Sequence, residues 1–100
     1  MSFKTQAFYS IFETKPATMS TITILIHCKD QQGIIASITN FIHKNQGNIV
    51  YIDQYVDRTH NAFFMRLESV FEDTSFVLSD FRSAFNNQLG KAFDMAVQMY

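Results

Sequence analysis

The sequence predicts an α+β domain in the order β-α-β-β-α-β, a four-stranded antiparallel sheet with two helices on one face. Three kinds of observation carry that expectation. Four stretches place apolar residues at every second position, the period of a strand lying on a core. Two stretches place them at helical spacing, three or four apart. Between these stretches fall Gly, Asn, Asp and Thr, the residues that turns and caps require. At 100 residues the chain has the length of one domain.

The first strand is expected over Thr21 to Cys28, where β-branched residues suit a pleated backbone. Ile22, Ile24 and Ile26 share one face; Thr23, Leu25 and His27 share the other. Apolar residues on both faces mark a central strand. Ile34, Ile35, Ile38, Phe41 and Ile42 then trace a helix. Asp30 precedes it, placed to accept free backbone N–H groups. Gly47 follows it and suits a left-handed C-cap.

Asn48 to Arg58 reads as strand again, with Val50, Ile52 and Val56 on one face and Tyr51, Asp53 and Tyr55 on the other. Thr59, His60 and Asn61 form a polar turn, and Ala62 to Val70 completes a hairpin. Phe63, Met65 and Leu67 make its core face; Phe64, Arg66 and Glu68 lie opposite. Glu72, Asp73 and Thr74 supply N-cap chemistry for a second helix. Its stripe is Val77, Leu78, Phe81, Ala84, Phe85 and Leu89, and Gly90 is its expected stop. Phe93, Met95, Val97 and Met99 alternate with Asp94, Ala96 and Gln98 as the last strand.

Right-handed crossovers place both helices on the same side of the sheet. The result is a ferredoxin-like sandwich with strand order 4-1-3-2. The uncovered face carries Tyr51, Asp53, Tyr55, Phe64, Arg66 and Glu68, an aromatic surface poorly suited to water and a candidate interface. Residues 1–20 hold Phe3, Phe8, Tyr9, Ile11 and Phe12 without a period, punctuated by Pro16. They read as a poorly ordered or loosely docked N-terminal extension to a patterned domain over 21–100. Met19 stands directly before that pattern as a possible second start. The ending on Tyr100, at a strand, is what a domain cut from a longer protein would show.

Hydrophobic residues make up 47% of the chain and charged ones 17%, which excludes intrinsic disorder. A net charge of −1 lacks the basic footprint of a nucleic-acid binder. The third strand also lacks the basic-Gly-aromatic-Gly pattern of RNA readers. A single cysteine, Cys28, excludes an internal disulfide framework and a Cys-rich zinc site. It fits a reducing, cytoplasmic setting. No apolar run approaches the ~20 residues that span a bilayer, and no signal peptide opens the chain. His27 and Cys28 point to opposite faces of one strand and form no dyad. His27, His43 and His60 lack ligand spacing, and no phosphate-binding glycine motif is present. No catalytic residue, metal or cofactor is therefore expected.

Binding chemistry concentrates before the first helix. In Asp30-Gln31-Gln32-Gly33 a helix N-terminus offers N–H groups to a carboxylate. Gly33 permits close approach of a ligand, and Asp30 suits an ammonium group. Together they fit a zwitterionic amino acid. The same residues also read as a plain cap and a glycine turn.

Asp30-x-x-Gly33, an apolar helix and then Gly47-Asn48-Ile49 resemble the ACT domain, a small βαββαβ module that binds amino acids at dimer interfaces. Cys28 to Ala36, Asp53-Gln54-Tyr55-Val56-Asp57 and Phe63-Phe64-Met65-Arg66 are similar to the N-terminal domain of formyltetrahydrofolate deformylases. Lys29 departs from the proline common there and loosens the loop slightly. The resemblance implies an enzyme of one-carbon and purine metabolism that hydrolyses 10-formyltetrahydrofolate to formate and tetrahydrofolate. It also implies that catalysis resides in a C-terminal formyltransferase-like domain absent from these residues. It further implies a homo-oligomer sensing glycine or methionine. The ligand would lie near Asp30, Gln31, Gln32, Gly33, Ile34 and Asn48. Gly33 and Ile34 N–H groups would hold its carboxylate, and Asp30 or Asn48 its amine. Two alternatives stay open: a pure oligomerisation module, and a free-standing ACT protein.

Overall fold

Alternate positions of two strands supply the floor of the core. Strand β1 spans Ser20–Lys29 and strand β3 spans Ala62–Phe71 in the computed structural model, which describes residues 19–100. The expected extension over residues 1–20 lies outside the described residues, save its last two. Ile22, Ile24, Ile26 and Cys28 of β1 are buried, as are Phe63, Met65, Leu67 and Phe71 of β3. Strand β2 spans Gly47–Asp57 and β4 spans Ala96–Met99. All pairings are antiparallel, in the order β2-β3-β1-β4. That is the expected order seen from the other edge.

Helix α1, Ile34–Lys44, lays Ile34, Ile38, Phe41 and Ile42 on the sheet. Helix α2, Leu78–Phe85, adds Phe81 and Phe85. Phe41, Phe71, Phe76, Phe81 and Phe85 form one aromatic cluster between the layers. Phe71 stacks on Phe76 at 4.4 Å, and Phe41 meets Phe85 edge-on at 5.3 Å. Such offset and edge-on geometries suit the ring quadrupole. Ser69 is fully buried, and its hydroxyl donates to the Asn48 carbonyl at 3.2 Å, so its burial leaves no orphan.

The register of β2 on β3 shifts between Ile49 and Tyr51. The bulge makes Val50 the extra residue, and Ile49 and Ile52 then both face the helices, which their odd spacing forbids in a regular strand. Burial fades along this edge. Gly47 packs on Ile42 and Ile49 on the core, but Val50, Ile52 and Val56 lie 55%, 43% and 37% exposed.

Four local expectations need correction. Gly47 is not the C-cap of α1: Gln46 takes the left-handed turn at φ 62 and Gly47 starts β2. Glycine is required there by close packing, since a Cβ would sit 2.6 Å from the Phe71 ring and 2.7 Å from Ile42. Asp30 does not cap α1; Gly33, at φ 86, holds the N-cap without any side-chain bond. Glu72, Asp73 and Thr74 do not open α2, which begins at Leu78; Asp73 instead accepts bonds from the Ser75 amide and hydroxyl. Gly90 does not end the helical segment. A π-helical turn, Asn86–Gly90, runs through it into a last turn, Lys91–Phe93, and Asp94 stops the run at φ 53. The Met95 amide donates to the Gly90 carbonyl at 2.8 Å, and β4 is shortened to four residues. Tyr100 extends the pairing by exchanging two backbone bonds with Thr23.

Gly47→Ala is expected to destabilise the fold by about 1–3 kcal/mol through overpacking against Phe71. A lower urea midpoint with an unchanged slope is the readout.

Candidate functional site

The loop after β1 is tied down at two points. The Asp30 amide donates to the Asn61 carbonyl at 2.9 Å, holding it to the β2–β3 hairpin. The Gln31 side-chain amide donates to the Lys29 carbonyl at 3.1 Å and to the Phe93 carbonyl at 3.0 Å. It thereby closes the loop against the last helical turn. Gln32 and Gly33 are exposed, and nothing lies within 4 Å of where a Gly33 Cβ would stand. Ile34 is buried, so it offers a ligand its backbone and not its side chain. The loop thus presents the open N-terminus of an 11-residue helix, with Asp30 beside it.

The structure separates one expected member of this group. Asn48 pairs with Val70, which pairs with Thr21 at the start of β1. Asp57 pairs with Ala62, which pairs with Lys29 at its end. Val70 and Ala62 are eight residues apart on β3, so residues 48 and 57 lie about 26 Å apart along the sheet at ~3.3 Å per residue. Within one chain Asn48 does not join Asp30, Gln31, Gln32, Gly33 and Ile34. Strand parity gives no warning of this; only the parallel sense of β1 and β2 about β3 does.

The open sheet face gathers Tyr51, Asp53, Tyr55, Phe64 and Arg66 as expected. The pairing registers add neighbours that the sequence reading did not single out. Across the sheet run Tyr55, Phe64, His27 and Ala96; then Asp53, Arg66, Leu25 and Gln98; then Tyr51, Glu68, Thr23 and Tyr100. The period-two parity of β1 and β4 was the signal for them. His27 stacks flat on Phe64, centroids 4.6 Å apart and planes within 5°, and Tyr55 leans on Phe64 at 6.3 Å. Arg66 Nη2 donates to Glu68 Oε2 at 3.0 Å. A shallow concavity of about 740 Å³ lies over Leu25, His27, Phe64 and Arg66.

The reactive groups elsewhere serve structure. Cys28 is buried opposite His27, and burial, then the charges of Asp30 and Asp94, push its thiol up. The nucleophilic thiolate is thereby suppressed. Asp57 Oδ2 lies 2.9 Å from His60 Nδ1, and Oδ1 accepts the amides of Thr59 and His60. The His60 side chain and then these amides hold the Asp57 carboxyl below its ordinary value, so the pair organises the hairpin turn. Among the described residues no group of three His, Cys, Asp or Glu side chains is placed to hold a metal. No described helix is long and apolar enough to cross a membrane.

Two outcomes follow from these groups. Iodoacetamide is expected to label Cys28 far more slowly in the folded chain than in urea, because burial both raises the thiol and occludes it. Asp57, with a depressed folded value, contributes stability that is present above the unfolded carboxylate value and is lost as pH falls through the folded one. Thermal melts of the wild type and Asp57→Asn should therefore differ at neutral pH and converge in acid.

A family model for the ACT domain matches residues 22–86. The formyltetrahydrofolate deformylase of Synechocystis sp. is 48% identical over 48 residues, covering 48% of this chain and 17% of its own. That of Escherichia coli strain K12 is 46% identical over 59 residues, covering 57% and 21%. The chain thus spans about a fifth of the length of these relatives. Among solved structures, a formyltetrahydrofolate deformylase from Pseudomonas syringae superposes with a TM-score of 0.75 at 25% identity, over 100% of this chain and 32% of that one. An ACT domain protein from Streptococcus pneumoniae gives 0.68 at 24%, over 80% and 86%. With the sheet order, the two helices and the matched residues in agreement, the chain belongs to the ACT domain family and is similar to the N-terminal region of formyltetrahydrofolate deformylases.

Proposed function

We propose that this chain is the amino-acid-binding regulatory and oligomerisation domain of a formyltetrahydrofolate deformylase. One observation carries the reading: the curated relatives share that name, and the chain corresponds to about a fifth of their length. Hydrolysis of 10-formyltetrahydrofolate to formate and tetrahydrofolate is then the work of the larger protein, in one-carbon and purine metabolism. A reducing cytoplasm suits its unpaired thiol.

The ligand end is the loop Asp30 to Ile34. Backbone N–H groups of Gly33 and Ile34 take the carboxylate of glycine or methionine, and Asp30 takes the ammonium group. Asn48 reaches this end only from a second copy. Among the described residues the outer edge of β2 has no strand neighbour, and Val50, Ile52 and Val56 stand exposed along it. Antiparallel pairing of two such edges about Ile52 sets Asn48 of one copy against Tyr55 of the other, because the bulge at Val50 leaves both three steps from Ile52. That brings it to the end of the sheet where the loop lies. A ligand seated between copies binds the assembled state better than the separate one, which is the condition for shifting assembly.

Calorimetry on the 100-residue chain tests this. Glycine or methionine should bind at millimolar concentration or below. Gly33→Val should abolish the heat, because a β-branched residue at φ 86 costs about 1–3 kcal/mol of strain and reshapes the loop. Asn48→Ala should weaken binding and leave the fold intact. Absence of binding by either amino acid would favour the second reading, a free-standing or purely assembling ACT module in which Asp30 and Gly33 are structural.

A further inference from the structure

The open sheet face is a surface that the ligand loop and the β2 edge leave unused. Tyr55 and Tyr100 are each 64% exposed there, Tyr51 45% and Phe64 39%. We infer that this face packs against the same face of a second copy, back to back, about a two-fold axis parallel to the strands that sets β3 over β1 of its partner. The inference rests on the reading that the domain self-associates, and it adds a surface distinct from the β2 edge.

The chemical pattern of the face selects that axis. A two-fold parallel to the strands and lying between β3 and β1 exchanges β3 with β1, and β2 with β4. Phe64 then meets the partner's His27, an aromatic against an aromatic. Tyr55, the bulky corner of the face, meets the partner's Ala96, the small one. Asp53 meets the partner's Gln98, and Glu68 meets the partner's Thr23, each carboxylate facing a donor. Arg66 keeps its bond to Glu68 and lays its stem on the partner's Leu25. Tyr51 meets the partner's Tyr100. An axis across the strands through the middle row fails, because it sets Arg66 on the partner's Arg66.

Size supports the same occupant. Sheets pack face to face about 10 Å apart with strands nearly aligned, a spacing that side chains from both faces fill. Four strands at ~4.8 Å and the length of β3 at ~3.4 Å per residue give about 600 Å² of projected face. Two copies bury roughly 1,200 Å², the lower bound of a specific interface. The concavity over Leu25, His27 and Phe64 is open to solvent in one copy. The aromatic rims of a second copy are of the right kind to fill it.

Site-directed cross-linking tests the geometry. Asp53→Cys and Gln98→Cys chains are prepared singly, mixed, and treated with a short bis-maleimide, since a spacer is needed to join thiols on sheets about 10 Å apart; Cys28 is buried and silent. The expected product is a bis-maleimide bridge joining position 53 of one copy to position 98 of the other, identified by mass. Phe64→Asp, at an exposed position, should reduce the sedimenting mass of the wild-type chain. If the wild type self-associates, no 53-to-98 product forms and Phe64→Asp leaves the mass unchanged, the back-to-back packing is overturned while assembly through the β2 edge stands. If the wild type sediments as a monomer, both are overturned, and the face is left to a different protein partner.

Discussion

Ten residue pairs, from Ser20 with Phe71 to Lys29 with Ala62, join β1 to β3. This ladder is the constraint on which the rest of the molecule depends. Both strands alternate, and a slip of one residue would turn every isoleucine of β1 to the wrong face. The register therefore decides in one step which side chains meet the helices and which meet the open side. Ile24, Ile38, Ile42, Leu67, Phe71 and Phe85 are all fully buried because that decision is made consistently. β2 and β4 then add to the two sides of a pair already specified.

A two-layer sandwich of this size covers one face of its sheet and leaves the other bare. Here the bare face is aromatic, with His27 stacked on Phe64 and Tyr55 beside it. The same economy leaves β2 half covered, since α1 packs only on its first residues. The exposed apolar surface is thus a geometric consequence of chain length. The loop after β1 is pre-shaped, held by Asp30 and Gln31 to the hairpin and to the last helical turn.

Where sequence reading and structure part, the reasons are physical. Asp30 and the Glu72-Asp73-Thr74 run have the right chemistry for caps, yet caps also need the backbone to enter the helix at the right residue. Gly33 takes that place in α1, and Asp73 is satisfied locally by Ser75. Gly47 was read for its freedom at positive φ; it is required for its lack of a side chain against Phe71. Phe93 and Met95 alternate perfectly with polar residues. Even so, Phe93 lies in a helical turn, because the π-helical turn carries the chain past Gly90. Short-period alternation over a few residues does not outweigh a helix already under way.

The sequence by itself determined the element order, the sheet topology and the centre of both core stripes, because each follows from a periodicity repeated over many residues; Ile35 and Val77, read into those stripes, stand exposed. It also determined which residues share the open face, since parity along a strand is a local property. The tertiary structure alone decided that Asn48 and the Asp30 loop lie at opposite ends of the sheet. It alone decided that His27, Leu25, Ala96 and Gln98 border Phe64 and Arg66, and that a bulge at Val50 lets Ile49 and Ile52 point the same way. These are matters of register between strands far apart in the chain. No local pattern encodes them, because pairing is settled by how well two whole faces fit together.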